Sequence, residues 1–218
     1  MSTEPTLKIN RIRISCACLC RIEHDGRYFL LLNASRRLRG IYVLAPVGGA
    51  LSLYDTSRLE EFDAAFDDPS TRDLRLTMPV AALSAFRQWF YSGEGREQSP
   101  FRELQEELVE EAGLLPSLEA GELKWRLLWT AEDEGFTQRH GQTGMLTHYF
   151  LEIYDVCFSS SGACERLLAA SPDSGGMWVT QEQIDQRAML NLMVDGVEQQ
   201  AQVNGYLLLH PPEPEETD

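Results

Sequence analysis

Hydrophobic and polar residues alternate near the start of the chain in a pattern that predicts a β-hairpin. Residues 11–22 alternate in part and are rich in Ile and Cys, which is typical of a strand. The pair Asp25-Gly26 is a turn signal, so residues 28–32 are predicted to form the second strand of the hairpin. A third short strand is predicted at 41–44, directly before the sequence PVGGAL.

Helical spacing of apolar residues occurs twice in the middle of the chain. The first predicted helix covers about 80–91, with an apolar stripe formed by Leu83, Phe86, Trp89 and Phe90. The second begins at Ser99-Pro100, because Ser is a preferred N-cap and Pro suits the first helical position. It ends near Gly113, since glycine is a common residue after the last helical turn.

The remaining chain is predicted to contain mainly strands. Strands are expected at 123–130, 147–158 and 177–179, and a final helix at about 194–208. The segment 131–144 is acidic and then Gly-rich, which is typical of a loop at the rim of a site. Strands mixed with helices indicate an α+β or α/β sandwich.

The composition is that of a folded, acidic protein. Apolar residues make up 43% of the 218-residue chain, which is enough for a packed core and argues against disorder. The net charge of −15 would repel a phosphate backbone, so we expect no long nucleic acid as a partner. No apolar run reaches about 18 residues and no secretory-type apolar segment is present, so we expect a cytoplasmic protein outside the membrane.

Three of the five cysteines are spaced for one face of a strand. Cys16, Cys18 and Cys20 occupy alternate positions, and Cys157 and Cys164 lie far away in the sequence. An odd number of cysteines fits reduced thiols better than a disulfide scaffold. We expect the three to pack in the core rather than bind a metal, because no second ligand pair such as C-x-x-C accompanies them.

Five glutamates lie on one face of the second predicted helix when each residue advances by about 100°. They are Glu103, Glu106, Glu107, Glu110 and Glu111. Like charges at i,i+3 and i,i+4 cost about 0.2–0.5 kcal/mol per pair, or about 1–2.5 kcal/mol for this face. A divalent cation would remove the repulsion, and clustered carboxylate oxygens suit Mg²⁺ or Mn²⁺. A solvated acidic face is the alternative that the helix pattern alone leaves open.

The same helix resembles the signature of the Nudix hydrolases, G-x5-E-x7-R-E-U-x-E-E-x-G-U, in which U is aliphatic. Residues 106–114 match its second half at every fixed position except the first, where Glu106 stands instead of Arg. A second register, in which residues 102–107 match R-E-U-x-E-E, stays open, and both registers share Glu107. Other segments similar to landmarks of the family are DGRYFLLLN, Pro46-x-Gly48-Gly49 and Trp178-Val179-Thr180.

The sequence also departs from the family pattern. Residues 50–98 separate Gly49 from the helix by more than the motif does, so we expect an insertion there. The first glutamate of the motif falls on Gln98, for which Glu97 or Glu94 could substitute as a ligand. With this insertion, the chain is similar to the SMODS-associated Nudix group of bacterial nucleotide-signalling defence systems.

For the fold, the resemblance implies a Nudix-like α/β/α sandwich of the α/β (α+β) class with a mixed central sheet. We expect a single domain over residues 1–210, with the insertion at about 50–98 before the catalytic helix. Residues 211–218, PPEPEETD, are expected to form a disordered acidic tail.

For function, the resemblance implies Mg²⁺-dependent (or Mn²⁺-dependent) hydrolysis of a nucleoside diphosphate linked to another moiety. That chemistry needs neutralised phosphate charge and an activated water, both of which carboxylate-held metal supplies. The expected catalytic residues are therefore Glu107, Glu110 and Glu111. Glu107 and Glu111 are the main expected metal ligands, Glu110 is a third ligand or an orienting group, and Glu103 is a reserve ligand.

Other residues are candidates for substrate binding and proton transfer. Arginine matches phosphate oxygens well, so the candidates for substrate binding are Arg36, Arg37 and Arg39, which surface charge alone would also explain. The remaining substrate-binding candidates are Gly48 and Gly49. They are expected to shape the turn beside the helix rather than to contact the ligand directly. The general base is expected on the helix or among Glu132, Asp133 and Glu134. His148 lies in a predicted strand, where a structural hydrogen-bonding role is expected.

Two other functions stay open at this point. The Arg missing at Glu106, the Gln at position 98 and the long insertion favour a nucleotide-sensing module with little or no turnover. A protein-interaction domain could use residues 50–98, although its aromatic residues are expected to pack onto the core. For an enzyme or a sensor the expected partner is a small nucleotide-type molecule, and a homodimer is left open.

Overall fold

A computed structural model describes residues 10–137, 141–159, 161–171 and 174–213. These residues form two compact units. The first unit contains the described residues of 1–17, 50–98 and 132–150, and the second contains those of 18–49, 99–131 and 151–218. The segment expected to be an insertion, 50–98, therefore lies in the first unit.

The described residues contain strands and short helices along the whole chain. The strands are β1 (Arg11–His24), β2 (Arg27–Leu32), β3 (Val43–Ala45), β4 (Ala65–Phe66), β5 (Arg75–Pro79), β6 (Leu123–Phe136), β7 (Leu146–Phe158), β8 (Gly176–Thr180), β9 (Met189–Val194) and β10 (Val197–Val203). The α-helices are α1 (Ala34–Arg37), α2 (Arg58–Glu61), α3 (Leu83–Ser92), α4 (Phe101–Gln105), α5 (Ser161–Leu168) and α6 (Gln181–Asp185). A π-helix covers Glu106–Glu111, and 3₁₀ turns cover Val80–Ala82, Ala120–Glu122 and Tyr206–Leu208.

The hairpin of β1 and β2 confirms the first prediction from the sequence. The strands pair antiparallel, with Glu23 opposite Tyr28. Between them, Asp25 has a φ of 49° and Gly26 a φ of 73°. A two-residue hairpin turn of type I′ requires positive φ at both positions, which Asp and Gly tolerate well.

The first unit contains a small antiparallel sheet and an aromatic cluster. The first residues of β1 pair with β5, and β5 pairs with β4. Helix α3 buries Phe86, Trp89 and Phe90, which contact the rings of Phe62 and Phe150 at centroid separations of 4.8–5.7 Å. Such tilted and edge contacts are the favoured geometry of aromatic packing. Three residues of the predicted apolar stripe therefore belong to the core, as expected, and the fourth, Leu83, is half-buried.

In the second unit, a mixed sheet surrounds the hydrophobic core. Strand β2 pairs antiparallel with β3 and β8, β3 pairs parallel with β10, and β10 pairs antiparallel with β9. One core cluster includes Leu30, Leu44, Ile153, Val179, Ile184, Leu192, Ala201, Val203 and Leu208. A mixed sheet with several helices confirms the α+β class.

The prediction that three cysteines of β1 pack in the core is confirmed. Cys16, Cys18 and Cys20 have no exposed surface and form no disulfide within the described residues. Cys157 is exposed and Cys164 is partly buried, and both are also free.

The prediction of a final helix over 194–208 is wrong. Strands β9 and β10 form a hairpin there, with Asp195 (φ 53°) and Gly196 (φ 77°) in the turn. Leu192 and Val194 are buried at alternate positions, which is the period of a strand and not of a helix. Pairing of β10 with β3 gives this segment backbone partners that an isolated pattern does not reveal.

One further boundary differs from the sequence analysis. The predicted loop over 131–144 is wrong at its start, because β6 continues to Phe136. Of the predicted tail, residues 214–218 lie outside the described residues.

Among the helices of the described residues, none combines the length and apolar character needed to cross a membrane.

Candidate active site

The glutamate-rich segment starts as an α-helix and widens into a π-helix. The Ser99 hydroxyl accepts a hydrogen bond from the Phe101 N–H (3.1 Å), so a side chain satisfies one free amide before α4. From Glu106 the turns are wider, and the Ala112 N–H donates to the Glu107 carbonyl (2.9 Å), an i→i+5 bond. Such π segments are frequent at functional sites. The predicted end is confirmed, since Gly113 has a φ of 61°.

A backbone hydrogen bond fixes the carboxylate of Glu107. The Gly48 N–H donates to Glu107 Oε2 over 2.9 Å. Gly48 has a φ of 142°, and a Cβ atom there would overlap the carbonyl oxygen of Cys18. Glycine is therefore required where the chain passes Cys18 and presents its amide to Glu107.

The environment of Glu107 disfavours its negative charge. Burial raises the pKa of Glu107 to about 8, and the hydrogen bond from Gly48 opposes the rise. The charges of Glu103, Glu111 and Glu106 raise this pKa further. A cation beside Glu107 would relieve both the repulsion and the loss of hydration.

Glu103 is buried between a glycine and an arginine. A Cβ atom on Gly49 would overlap the Glu103 carboxylate, so this glycine permits the close approach of the helix. Arg102 Nη1 lies 2.8 Å from Glu103 Oε1 and 3.0 Å from Glu106 Oε1. The two glycines thus shape the turn beside the helix, as the sequence suggested for them.

A cavity of about 320 Å³ in the second unit contains two of the predicted ligands. Its charged lining residues are Glu107, Glu111 and Arg37. The other lining residues are Leu31, Leu32, Asn33, Ala34, Ala45, Pro46, Ala112, Ser174 and Gly175. The cavity therefore combines two carboxylates and one guanidinium with several apolar side chains.

The other predicted site residues of the second unit lie elsewhere on its surface or in its interior. Glu110 is exposed and Glu103 is buried, and neither is among the described residues that line the cavity. Of the arginine trio, only Arg37 lines it, while Arg36 and Arg39 are exposed. The structure thus brings together Glu107, Glu111 and Arg37 in one cavity. Gly48 and Gly49 are not among the described residues that line it, and they contact the side chains of Glu107 and Glu103.

Arg37 has a partner on the hairpin that the sequence analysis predicted as a helix. It ends α1, whose first turn is capped by the Asn33 side chain accepting from the Arg36 N–H (2.9 Å). Arg37 Nη2 donates to Asp195 Oδ1, and both side chains are largely exposed. An exposed pair of this kind contributes at most about 1 kcal/mol, so the guanidinium can exchange partners at low cost.

The loop candidates for the general base belong to the first unit and lie on β6. Glu132 accepts hydrogen bonds from Arg87 (2.8 Å) and Tyr91 (3.0 Å) and contacts His148. Burial raises the pKa of Glu132, but these three hydrogen bonds outweigh it and lower the pKa overall. Glu134 contacts the other ring nitrogen of His148 at 2.8 Å. His148 thus holds two carboxylates through its ring nitrogens, which is the structural role that the sequence suggested. The carboxylate of Glu132 is bonded to Arg87, Tyr91 and His148.

The residues considered for the first glutamate of the motif also lie in the first unit. Gln98 Nε2 donates to the Gly93 carbonyl over 2.8 Å. The Glu97 carboxylate is buried and accepts from the Ser52 N–H over 2.9 Å, whereas Glu94 is exposed. None of these side chains is among the described residues lining the 320 Å³ cavity.

The two carboxylates that line the cavity are donors of the kind that Mg²⁺ takes in proteins. Mg²⁺ is usually held by one or two carboxylates and completes its octahedron with waters and substrate phosphates. Glu107 and Glu111 offer two carboxylates to one cavity, and the neighbouring charges would favour a cation there. Within the described ranges, no three His, Cys, Asp or Glu side chains already form a metal-binding group.

Sequence reasoning missed three residues of this site. Asn33 and Ser174 line the cavity, and Asp195 holds Arg37. The Asp195-Gly196 turn signal could have indicated the hairpin, and Asn33 is a recognisable N-cap. Ser174 has no local signal, because only the fold brings it near β2.

Comparison with known families agrees with this geometry. The model of a family described as the SMODS-associated NUDIX domain matches residues 11–203. The match confirms the resemblance inferred from the sequence, including its narrower group. No curated protein and no solved structure matches the chain significantly.

Proposed function

Because the chain belongs to the SMODS-associated NUDIX domain family, we propose that it is a Mg²⁺-dependent hydrolase of phosphoanhydride bonds. Its substrate would be a nucleoside diphosphate linked to another group. The observation that carries this proposal is the cavity lined by Glu107, Glu111 and Arg37. Carboxylates and a guanidinium in one cavity suit the two needs of the reaction, which are a held cation and bound phosphate oxygens.

Glu107 and Glu111 are the proposed magnesium ligands. When bound, the ion would neutralise phosphate charge and make a coordinated water more acidic. Gly48 holds one oxygen of Glu107, which fixes the orientation of the carboxylate before substrate arrives. Glu110 is still proposed as a third ligand or orienting group and Glu103 as a reserve ligand, although neither is among the described residues that line the cavity.

Arg37 is the proposed phosphate-binding residue. It is the one cationic side chain among the described residues that line the cavity. On binding, the guanidinium would leave Asp195 and form charge-assisted hydrogen bonds to phosphate oxygens. The apolar lining residues Leu31 and Leu32 would exclude water from the same side.

A hydrolysis screen with Mg²⁺ tests this function. The panel contains nucleotide sugars, dinucleotides, nucleoside triphosphates and signalling nucleotides, and released phosphate or nucleoside monophosphate is measured. Glu107→Gln and Glu111→Gln should each abolish the metal-dependent turnover, while Glu198→Gln, an exposed glutamate on β10, should not. Full turnover by the Glu107→Gln, Glu111→Gln double variant would exclude the proposed site.

A nucleotide-sensing module with little turnover is the second candidate, and specific observations favour it. Glu106 replaces the motif arginine and pairs with Arg102, and Gln98 binds the backbone of Gly93. The part of the chain that the structure describes also has no preformed group of three metal-binding side chains. A sensor would show a nucleotide-dependent rise in melting temperature without consumption of the nucleotide.

A further inference from the structure

A second cavity, separate from the proposed active site, contains reactive side chains. It lies in the second unit and has a volume of about 200 Å³. Its walls are largely apolar and include Ile22, Val156, Phe158, Leu167 and Trp178. Two free cysteines, a histidine and a glutamate share these walls: Cys157, Cys164, His24 and Glu23.

The two cysteines differ in their surroundings. Cys164 Sγ lies 4.0 Å from His24 Nδ1, within hydrogen-bond distance for sulfur. His24 Nε2 in turn lies 3.5 Å from Asp25 Oδ2. The thiol and the imidazole stand in the relation of a nucleophile and its base, and the largely exposed carboxylate of Asp25 lies beside the second ring nitrogen. Cys157 is more exposed than Cys164 and has no such contact among the described residues.

Local structure holds these groups in place. His24 is the last residue of β1, directly before the hairpin turn, so its backbone is fixed by pairing with Arg27. Its ring meets the indole of Trp178 edge to face, with centroids 6.2 Å apart. The Trp178 N–H donates to the Leu167 carbonyl over 2.7 Å and so ties the cavity wall to α5, which carries Cys164.

We propose that Cys164 is a site of covalent modification by small apolar electrophiles that carry an alkene conjugated to a carbonyl. The apolar walls would admit such a molecule, and His24 would accept the thiol proton as the sulfur attacks. This site is independent of the proposed hydrolase function, because it shares no residue with the cavity of Glu107 and Glu111.

The addition is balanced without a further reactant. The sulfur of Cys164 forms a bond to the β-carbon, the carbon–carbon π bond breaks, and its electron pair passes into an enolate. The thiol proton moves to His24 Nδ1 and then from the imidazolium to the α-carbon. The adduct therefore contains every atom of the thiol and the electrophile, and nothing is oxidised or reduced by a third molecule.

The test is native labelling of the full chain with N-ethylmaleimide, with each cysteine quantified by peptide mass spectrometry. If exposure alone set the rate, Cys157 would react first. The proposal predicts the reverse, with Cys164 faster by about tenfold, a modest effect for a general base. The three buried cysteines of β1 should stay unlabelled, and all five should react at similar rates in urea.

A matched variant assigns the effect to the imidazole. His24→Gln should slow Cys164 to below the rate of Cys157 and leave Cys157 unchanged, with an unaltered melting temperature. A maleimide carrying a carboxylate should label Cys164 more slowly than N-ethylmaleimide. The proposal is overturned if wild-type Cys157 reacts as fast as Cys164, a comparison that needs no variant. It is also overturned if a folded His24→Gln protein keeps the fast rate at Cys164.

Discussion

Gly48 donates its backbone N–H to Glu107 Oε2 over 2.9 Å, and this bond joins the turn after β3 to the glutamate-rich helix. Gly48 makes the contact with a φ of 142°, in a place where a Cβ atom would overlap the Cys18 carbonyl. The orientation of the proposed ligand Glu107 therefore depends on a residue far from it in sequence that has no side chain.

Gly48→Ala should lower both stability and activity. The added Cβ must move the backbone away from Cys18, and an alanine at this φ is strained, at a cost of about 1–3 kcal/mol. Urea unfolding measures the loss of stability, and the hydrolysis assay measures the loss of activity. Gly121→Ala is the control, because a Cβ atom at Gly121 has nothing within 4 Å and its φ is not positive. Equal stability of the two variants would refute the steric argument.

The sequence predicted those parts of the fold that local chemistry decides. The Asp25-Gly26 turn and the start of the helix at Ser99 depend on neighbours only a few residues away, and both are confirmed. The chain forms a hairpin at Asp195 where the sequence analysis predicts a helix, and Val194, Val197 and Ala201 do suit helical spacing as well. The parallel partner strand β3, which decides the matter, lies far away in sequence.

The candidate site was predictable only in part for the same reason. The glutamates share a helix, so their spacing was visible, but which of them reach the cavity depends on the π-helix and on the turn at Gly48. No local pattern reveals an i→i+5 hydrogen bond. Arg37 differs from Arg36 and Arg39 only in lining the cavity, which is formed by residues of β2, α1 and the glutamate-rich helix. The sequence alone does not show how these three elements are arranged.

Magnesium should stabilise the protein through Glu107 and Glu111. A cation that binds only the folded state raises the melting temperature, and the rise grows with concentration. Titration with MgCl₂ should therefore raise the wild-type melting temperature and leave that of the Glu107→Gln, Glu111→Gln double variant unchanged. Glu198→Gln serves as a control for the loss of surface charge. A wild-type response retained in the double variant would place the metal elsewhere, whether or not the protein hydrolyses nucleotides.

Glu132 should contribute to stability in a pH-dependent way. Its pKa is lowered in the folded state, so its contribution is present above the ordinary pKa of about 4.5 and is lost as the pH falls through the depressed value. Glu132→Gln should therefore destabilise the protein near neutral pH and flatten the decline of stability in acid. Urea unfolding between pH 7 and pH 3 measures the free energy of unfolding of both proteins. Asp133→Asn is the control, because Asp133 is the exposed neighbour of Glu132. Parallel pH profiles for wild type and Glu132→Gln would contradict it.

Arg37 should contribute to nucleotide binding more than the arginines beside it. A hydrogen bond to a charged group contributes about 1.5–3 kcal/mol, so Arg37→Ala should weaken binding about tenfold to a hundredfold. Arg36→Ala and Arg39→Ala remove the same charge outside the cavity and should have little effect. Asp195→Asn frees the guanidinium from its carboxylate partner, so it should strengthen binding slightly. Calorimetry with the best nucleotide of the screen gives the affinities of the four variants and of the wild type. If the three alanine variants lose affinity equally, the arginines act as a general positive surface and the cavity does not single out Arg37.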